Sequence, residues 1–152
     1  MRIFFDTEFI EDGKTIDLLS IGMVREDGRR FYAENAEADL SKASEWVVLN
    51  VFPYLGRVKA QSRAEIADAI REFAGEKPEF WAYYADYDWV ALCQLYGTMM
   101  DLPKGWPMFC MDVKQAAVMA GNPNLPPDPP AEHYALADAI WAQEAWQSLQ
   151  PS

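Results

Sequence analysis

Basic side chains are scarce in this 152-residue chain: 13 lysines and arginines stand against 24 aspartates and glutamates, a formal net charge of −11. Tight, non-specific binding of duplex nucleic acid needs many cations on phosphates, and the charge argues against that mode. A protein that grips a few nucleotides is not excluded, because bound metal ions supply positive charge and part of the acidic count can be their ligands. Histidine is rarer still, with His133 alone. The two cysteines, Cys93 and Cys110, lie among apolar residues and read as small buried hydrophobes. Nothing demands an oxidising compartment. No apolar run is long enough to span a membrane, and the first residues lack the basic-then-apolar layout of a secretion signal. The expectation is a cytoplasmic protein with no membrane partner.

What the chain does have is core-forming material: 51% hydrophobic and 14% aromatic residues, in a length that suits one domain over residues 1–152. Its most informative stretch is the first ten residues, MRIFFDTEFI. Ile3, Phe4 and Phe5 form an apolar run with strong strand propensity, and Asp6, Thr7 and Glu8 follow at once. Residues two apart on a strand share a face, so Asp6 and Glu8 project together from the end of that strand. Two adjacent carboxylates repel each other and are costly to desolvate. A divalent cation between them removes that cost, and an oxygen-rich site suits Mg²⁺ or Mn²⁺. The plainer reading is a strand that ends in polar surface residues, since D-x-E tripeptides are common.

Asp17–Val24 reads as a second strand, Asp27-Gly28 as a two-residue hairpin and Arg29–Glu34 as its return. The segment 35–60 is broken by Pro53 and predicts short helical turns. Ser62-Arg63-Ala64-Glu65 is a capping box that opens an amphipathic helix to about Ala74, with Ile66, Ala69, Ile70 and Phe73 inward, ended by Gly75. Pro78–Tyr84 reads as a central strand, Trp89–Tyr96 as a helix, Phe109–Val113 as a last strand and Lys114–Ala120 as a short helix. The proline-rich run Gly121–Pro130 is an extended loop, and His133–Leu149 closes the chain as a helix. This order gives an α/β fold: a three-stranded antiparallel meander plus further strands in a mixed sheet flanked by helices.

Three acidic pieces now stand in related places: Asp6 and Glu8 on the first strand, Asp88 where a strand gives way to a helix, and Asp138 in the last helix downstream of His133. Four carboxylates and one imidazole suit phosphodiester hydrolysis. Two Mg²⁺ ions about 4 Å apart activate water and stabilise the leaving oxygen, and a histidine takes the proton at neutral pH. Asp6-Thr7-Glu8, Tyr87-Asp88 followed by Leu92, and His133-x-Ala135-Leu136-x-Asp138 resemble the three motifs of the DEDDh 3′–5′ exonucleases, which share the ribonuclease H-like fold. The motifs are in order and span nearly the whole chain. The small size and the Trp81–Asp88 segment look most like the polyadenylate-specific exoribonuclease AS branch.

The resemblance implies roles. Asp6 would bridge both metals, Glu8 and Asp138 would hold the one that carries the nucleophilic water, and Asp88 would bind the second through water. His133 would be the general base. Glu8 and Phe9 would cradle the terminal nucleotide, with Phe9 as a stacking surface for its base; Phe9, Tyr83, Tyr84 and Tyr87 flank the carboxylates in the sequence and so read as base platforms. The match has gaps: Tyr84 stands where the second motif usually carries Asn, Phe9 where Thr or Ser follows the first Glu, and Asp86 could replace Asp88 on the metal after a two-residue change of register.

Asp112 reads as an N-cap or as a partner of the site. Arg57, Lys59 and Arg63 read as a solvated basic cluster or as an RNA backbone contact. Trp81, Trp89, Trp141 and Trp146 read as core or interface, with Trp141 and Trp146 leaving an apolar helix face for a homodimer that the resemblance also implies. The proline-rich run reads as a connector, or as a lid that lets His133 swing in on RNA. The functional expectation is a Mg²⁺-dependent exoribonuclease that releases nucleoside 5′-monophosphates from adenylate-rich single-stranded RNA 3′ ends. Its rivals are a DNA exonuclease, an oligonucleotide-clearing enzyme, and a catalytically silent binding module on the same fold.

Overall fold

The fold is described by a computed structural model covering residues 1–152. Strand β1 (Arg2–Glu11) pairs antiparallel with β2 (Ile16–Arg25), which pairs antiparallel with β3 (Arg30–Glu34). β4 (Glu79–Ala82) joins the other edge of β1 in parallel, and the two-residue β5 (Met111–Asp112) joins β4, giving the order β3-β2-β1-β4-β5. The mixed sheet and its meander are as expected, with β1 at the centre and β4 beside it. Five helices pack on the sheet: α1 (Glu45–Asn50), α2 (Arg63–Ala74), α3 (Ala85–Gln94), α4 (Val113–Met119) and α5 (Ala135–Ser148). No helix is long and apolar enough to cross a membrane.

Alternation along β1 sorts its side chains between two layers. Ile3 and Phe5 join the larger core with Ile66 and Ile70 of α2 and Leu92 of α3. Phe4 joins a second core with Trp81, Val113 and Ala145 of α5. A third, smaller cluster of Ile10, Leu19, Val47 and Val51 fastens α1 to the far end of β1 and β2. The capping box at Ser62 and Glu65 forms in both directions. Of the side chains expected inward on α2, Ile66 and Ile70 are buried, Ala69 and Phe73 are half-buried, and Ala67 and Ala74 complete the face.

Several boundaries differ from the sequence reading. β1 continues to Glu11, so Asp6 and Glu8 lie in mid-strand and not at its end. The Asp27-Gly28 hairpin is a three-residue loop. Arg25 N–H donates to Arg29 O (2.8 Å), Gly28 N–H donates to Arg25 O (2.9 Å), and only Gly28 takes positive φ. That is a type I turn closed by a glycine bulge, where a two-residue turn would need Asp27 at positive φ too. β4 stops at Ala82, because Tyr84 turns left-handed (φ 54°) and starts α3 at Ala85, four residues earlier than expected. α5 begins at Ala135, so His133 precedes it.

Candidate active site

The end of β4 creates the site. β1 pairs with β4 only from Arg2 to Phe4. Beyond that point the β1 edge has no strand partner, and a side chain takes the ladder's place: Thr7 N–H donates to Asp88 Oδ1 (3.1 Å). The Thr7 hydroxyl donates to the same oxygen at short range. Asp88 sits in the first turn of α3 and is 6% exposed. Its position depends on the left-handed turn before the helix. Asp112 stabilises that turn by accepting from Tyr84 N (3.2 Å) and Ala85 N (3.1 Å), while also capping α4 through Lys114 N (2.7 Å). Asp112 thus has both functions weighed for it, cap and support. Asp86, the alternative ligand, is exposed and lies off the cavity described below.

Asp6 and Glu8 occupy the β1 face that meets α5. Asp138, in the first turn of α5, comes up beside Glu8, and its Oδ2 accepts from His133 N (2.9 Å). Ligand atoms of Glu8, His133 and Asp138 lie within 4.8 Å of one another, a grouping that could hold a metal ion. Asp6 and Asp88 complete the wall of the same cavity, of about 390 Å³. Close approach of α5 is possible because its inner face is alanine (Ala135, Ala139, Ala142, Ala145) and because β2 presents Gly22 opposite Asp6. A Cβ on Gly22 would stand 2.6 Å from the Ala135 carbonyl carbon, and nearer still to the Leu136 backbone. The sequence reading passed over Gly22, although a glycine inside a strand is a known signal of close backbone approach.

The electrostatics reflect four acids in one low-polarity site. Burial, then the charge of Asp88 and of its other neighbours, drives the Asp6 carboxyl well above the usual range. Burial, then Asp138 and Asp88, pushes Glu8 up to about 9. Burial raises Asp88 to about 7 against the pull of the Thr7 donors, and raises Asp138 to about 6 against the His133 amide. One oxygen of this set, Asp6 Oδ2, is buried with no hydrogen-bond partner. A buried carboxylate oxygen without a donor is costly, and a cation is the partner this all-oxygen set would accept most readily. The residues present therefore fit a divalent metal centre.

The rim is aromatic. Phe9 packs against Tyr87 (centroids 5.9 Å) and Tyr83 against Tyr84 (4.8 Å). Tyr84 and Tyr87 are 63% and 49% exposed. All four line the cavity, as do Trp46 and Trp141. Trp141 belongs to this wall and not to a free helix face: its Nε1 donates to Pro126 O (3.1 Å) and Pro127 O (3.0 Å), pinning the proline-rich loop that brings Asp128 and Pro129 to the rim. Trp146 is likewise engaged within the chain, against Phe4 (5.6 Å), Trp81 (5.9 Å) and the Arg2 guanidinium (4.2 Å).

His133 stands in the left-handed region (φ 75°) and is held against Trp46, a residue to which the sequence reading gave no role. No lysine or arginine lines the cavity. Two members of the expected basic cluster have partners inside the chain: Arg63 pairs with Asp17 (2.6 Å), and Arg57 stacks on Tyr134 (4.0 Å). Cys93 and Cys110 are free thiols, the first buried and the second half-buried.

Residues 1–150 match the family of the 3′–5′ exoribonuclease Rv2179c-like domain. The 3′–5′ exoribonuclease Rv2179c of Mycobacterium tuberculosis strain H37Rv is 44% identical over 146 residues, which cover 91% of this chain and 87% of the relative. The 3′–5′ exoribonuclease MT2234.1 of M. tuberculosis strain CDC 1551 gives the same figures. Among solved structures, the zinc-bound complex of E. coli exonuclease I with single-stranded DNA covers 99% of this chain with a TM-score of 0.70 and 16% identity. Apo exonuclease I covers 97% with a TM-score of 0.65 and 17% identity. These likenesses establish the exonuclease I fold, of ribonuclease H type; this chain spans 41% of the exonuclease I chain in each case.

Proposed function

Because the chain belongs to the 3′–5′ exoribonuclease Rv2179c-like family, we propose that it removes nucleotides from the 3′ end of single-stranded RNA by metal-dependent hydrolysis, with Asp6, Glu8, Asp88 and Asp138 as metal ligands and His133 as general base. The observation that carries this reading is the meeting of four carboxylates, one of them with an orphaned buried oxygen, and the chain's single imidazole in one aromatic-rimmed cavity. Asp6, Glu8 and Asp138 would hold the ions together with Asp88, whose carboxylate Thr7 fixes. Mg²⁺ is the natural occupant of so hard an oxygen set, with Mn²⁺ able to substitute. Bound there, the ions offset the ligand charge and the negative charge that develops on the phosphate.

The chain's own residues do the rest. Phe9, Tyr84 and Tyr87 offer faces on which the terminal bases stack, a sequence-tolerant grip. The backbone at Glu8 and Phe9 borders the last ribose. His133 takes the proton of the water that attacks the terminal phosphorus. The bond from that phosphorus to the 3′-oxygen of the penultimate nucleotide breaks, the departing oxygen takes a proton from solvent water, and a nucleoside 5′-monophosphate and a new 3′-hydroxyl result. With no cationic side chain on the cavity wall, the phosphates depend on bound ions for their positive counterpart.

Adenylate-rich RNA is the substrate class, a cytoplasmic location follows from the same reading, and a homodimer completes it. The candidate dimer face runs beside edge strand β5, where Met108, Phe109, Val118 and Met119 are exposed; light scattering tests it. The deciding experiment digests 5′-labelled poly(A), poly(U), poly(C) and single-stranded DNA with Mg²⁺. The expectation is stepwise mononucleotide release, fastest on poly(A) and abolished by Asp6→Ala or by EDTA. Equal rates on all four remove the adenylate preference, and degradation of a 3′-blocked substrate removes the exonuclease reading.

A further inference from the structure

We propose that Trp46 is a positioning residue for His133: its indole, carried on α1, sets the orientation from which the imidazole takes its proton. This rests on the exonuclease reading above and names a residue that neither the motifs nor the carboxylate cluster includes.

The backbone around His133 is held from several directions. His133 N–H is fixed by Asp138 Oδ2 (2.9 Å). Tyr134, the next residue, is packed between the Arg57 guanidinium (4.0 Å) and the Tyr32 ring (5.0 Å). These contacts pay for the left-handed conformation at His133, which a non-glycine residue adopts only when its surroundings impose it. They leave the ring torsions free. The imidazole itself makes no hydrogen bond, and the Glu132 oxygen beside it stays 3.8 Å from Nε2. The one aromatic ring packed on it is that of Trp46, with centroids 4.9 Å apart and planes at 83°. Edge-to-face pairs have a preferred geometry, so the indole selects one orientation of an otherwise loose ring.

Trp46 is itself well placed to do this and has no other structural task. α1 is anchored by its neighbours: Val47 and Val51 are buried with Ile10 and Leu19, and Ser44 Oγ caps the helix through Val47 N (3.2 Å). The indole points away from that cluster, is 53% exposed, and lines the cavity. A half-exposed tryptophan adds little to the core, so its removal should spare stability while loosening the base. Misplacement of a reacting group by about 1 Å can lower turnover about a hundredfold.

The test compares wild-type protein with Trp46→Ala and Trp46→Phe on 5′-labelled oligoadenylate in Mg²⁺, at saturating and limiting substrate. Trp46→Ala should lower kcat roughly ten- to a hundredfold, with KM within about twofold and melting temperature unchanged. Trp46→Phe, which keeps an aromatic face, should recover most of the loss. Because His133 is the only histidine, its imidazole gives a single Hε1 resonance, and loss of the indole ring current should shift it in Trp46→Ala without any metal or substrate present. A raised KM at unchanged kcat would make Trp46 a base platform and overturn the assignment. A loss of kcat that tracks melting temperature and is not recovered by phenylalanine would make it structural, with the same consequence, and an unmoved imidazole signal would deny the contact. Absence of RNA degradation by the wild type would instead remove the exonuclease reading and this role with it, whereas an active Trp46→Ala with wild-type kcat removes this role alone.

Discussion

Substituting Gly22 by alanine perturbs the site without touching any proposed ligand. Gly22 pairs with Asp6 across β1 and β2, and its Cα faces the first turn of α5. The added Cβ would lie 2.6 Å from the Ala135 carbonyl carbon and closer to Leu136 N and Cα. Carbon atoms rest about 3.5–4.0 Å apart, so α5 must retreat by about 1 Å. The atoms met are helix backbone, which cannot rotate aside as a side chain would. Overpacking of this kind costs about 1–3 kcal/mol, or a fall of about 2–12 °C in melting temperature for a domain of this size. The retreat also moves Asp138, four residues into α5, and the His133 amide bonded to it, away from Asp6 and Glu8 on β1. A shift of about 1 Å at reacting groups costs about a hundredfold. The assay measures kcat on oligoadenylate below the variant's melting temperature, with Gly22→Ser as a second variant of the same effect. Wild-type turnover in a protein that has lost the expected stability would refute the coupling between helix seating and site geometry. Wild-type values of both would refute the close packing itself.

Further outcomes follow from individual contacts. Thr7→Val removes the hydroxyl donated to Asp88 while keeping the side-chain volume; a hydrogen bond to a charged group is worth about 1.5–3 kcal/mol, so kcat/KM should fall roughly ten- to a hundredfold with little change in fold. Asp88→Asn should abolish measurable turnover and Asp86→Asn should leave it near wild type, since only Asp88 reaches the cavity; the reverse result would shift the second-motif ligand by two residues. Metal-free protein should lose stability as pH rises. The carboxyls of Asp138, Asp88 and Glu8 hold their protons to about 6, 7 and 9 in the folded state, against about 4 when unfolded. Their contribution is complete below the unfolded value and is withdrawn as pH climbs through those folded values. Thermal melts in EDTA from pH 5 to 9 should show that decline, and Mg²⁺ should restore more at pH 9 than at pH 5; a flat profile would mean that the four acids do not share one buried site.

Local chemistry made much of this fold readable. The apolar-then-acidic opening located β1 and put Asp6 and Glu8 on one face, because strand periodicity is intrinsic to the backbone. Ser62 and Glu65 announced the start of α2 for the same reason, as each satisfies the other's amide. What stayed hidden depends on contacts between residues far apart in sequence. Thr7 looks like a spacer between two acids until the early end of β4 hands its amide to Asp88. Trp46 looks like helix filler until the loop before α5 carries His133 to it. Gly22 looks like a soft spot in a strand until a helix is laid across it. Two of the boundary differences, at the start of α3 and the start of α5, share one cause: Tyr84 and His133 adopt left-handed conformations that are uncommon for non-glycine residues and are held by the carboxylates of Asp112 and Asp138.

The most direct measurement is anomalous diffraction from crystals equilibrated with Mn²⁺. Two peaks about 4 Å apart, one bounded by Asp6, Glu8 and Asp138 and the other reached from Asp88, are the expected result. Manganese absent from this cavity at saturating concentration, or bound only elsewhere on the acidic surface, would contradict the claim that these carboxylates form a two-metal hydrolytic centre.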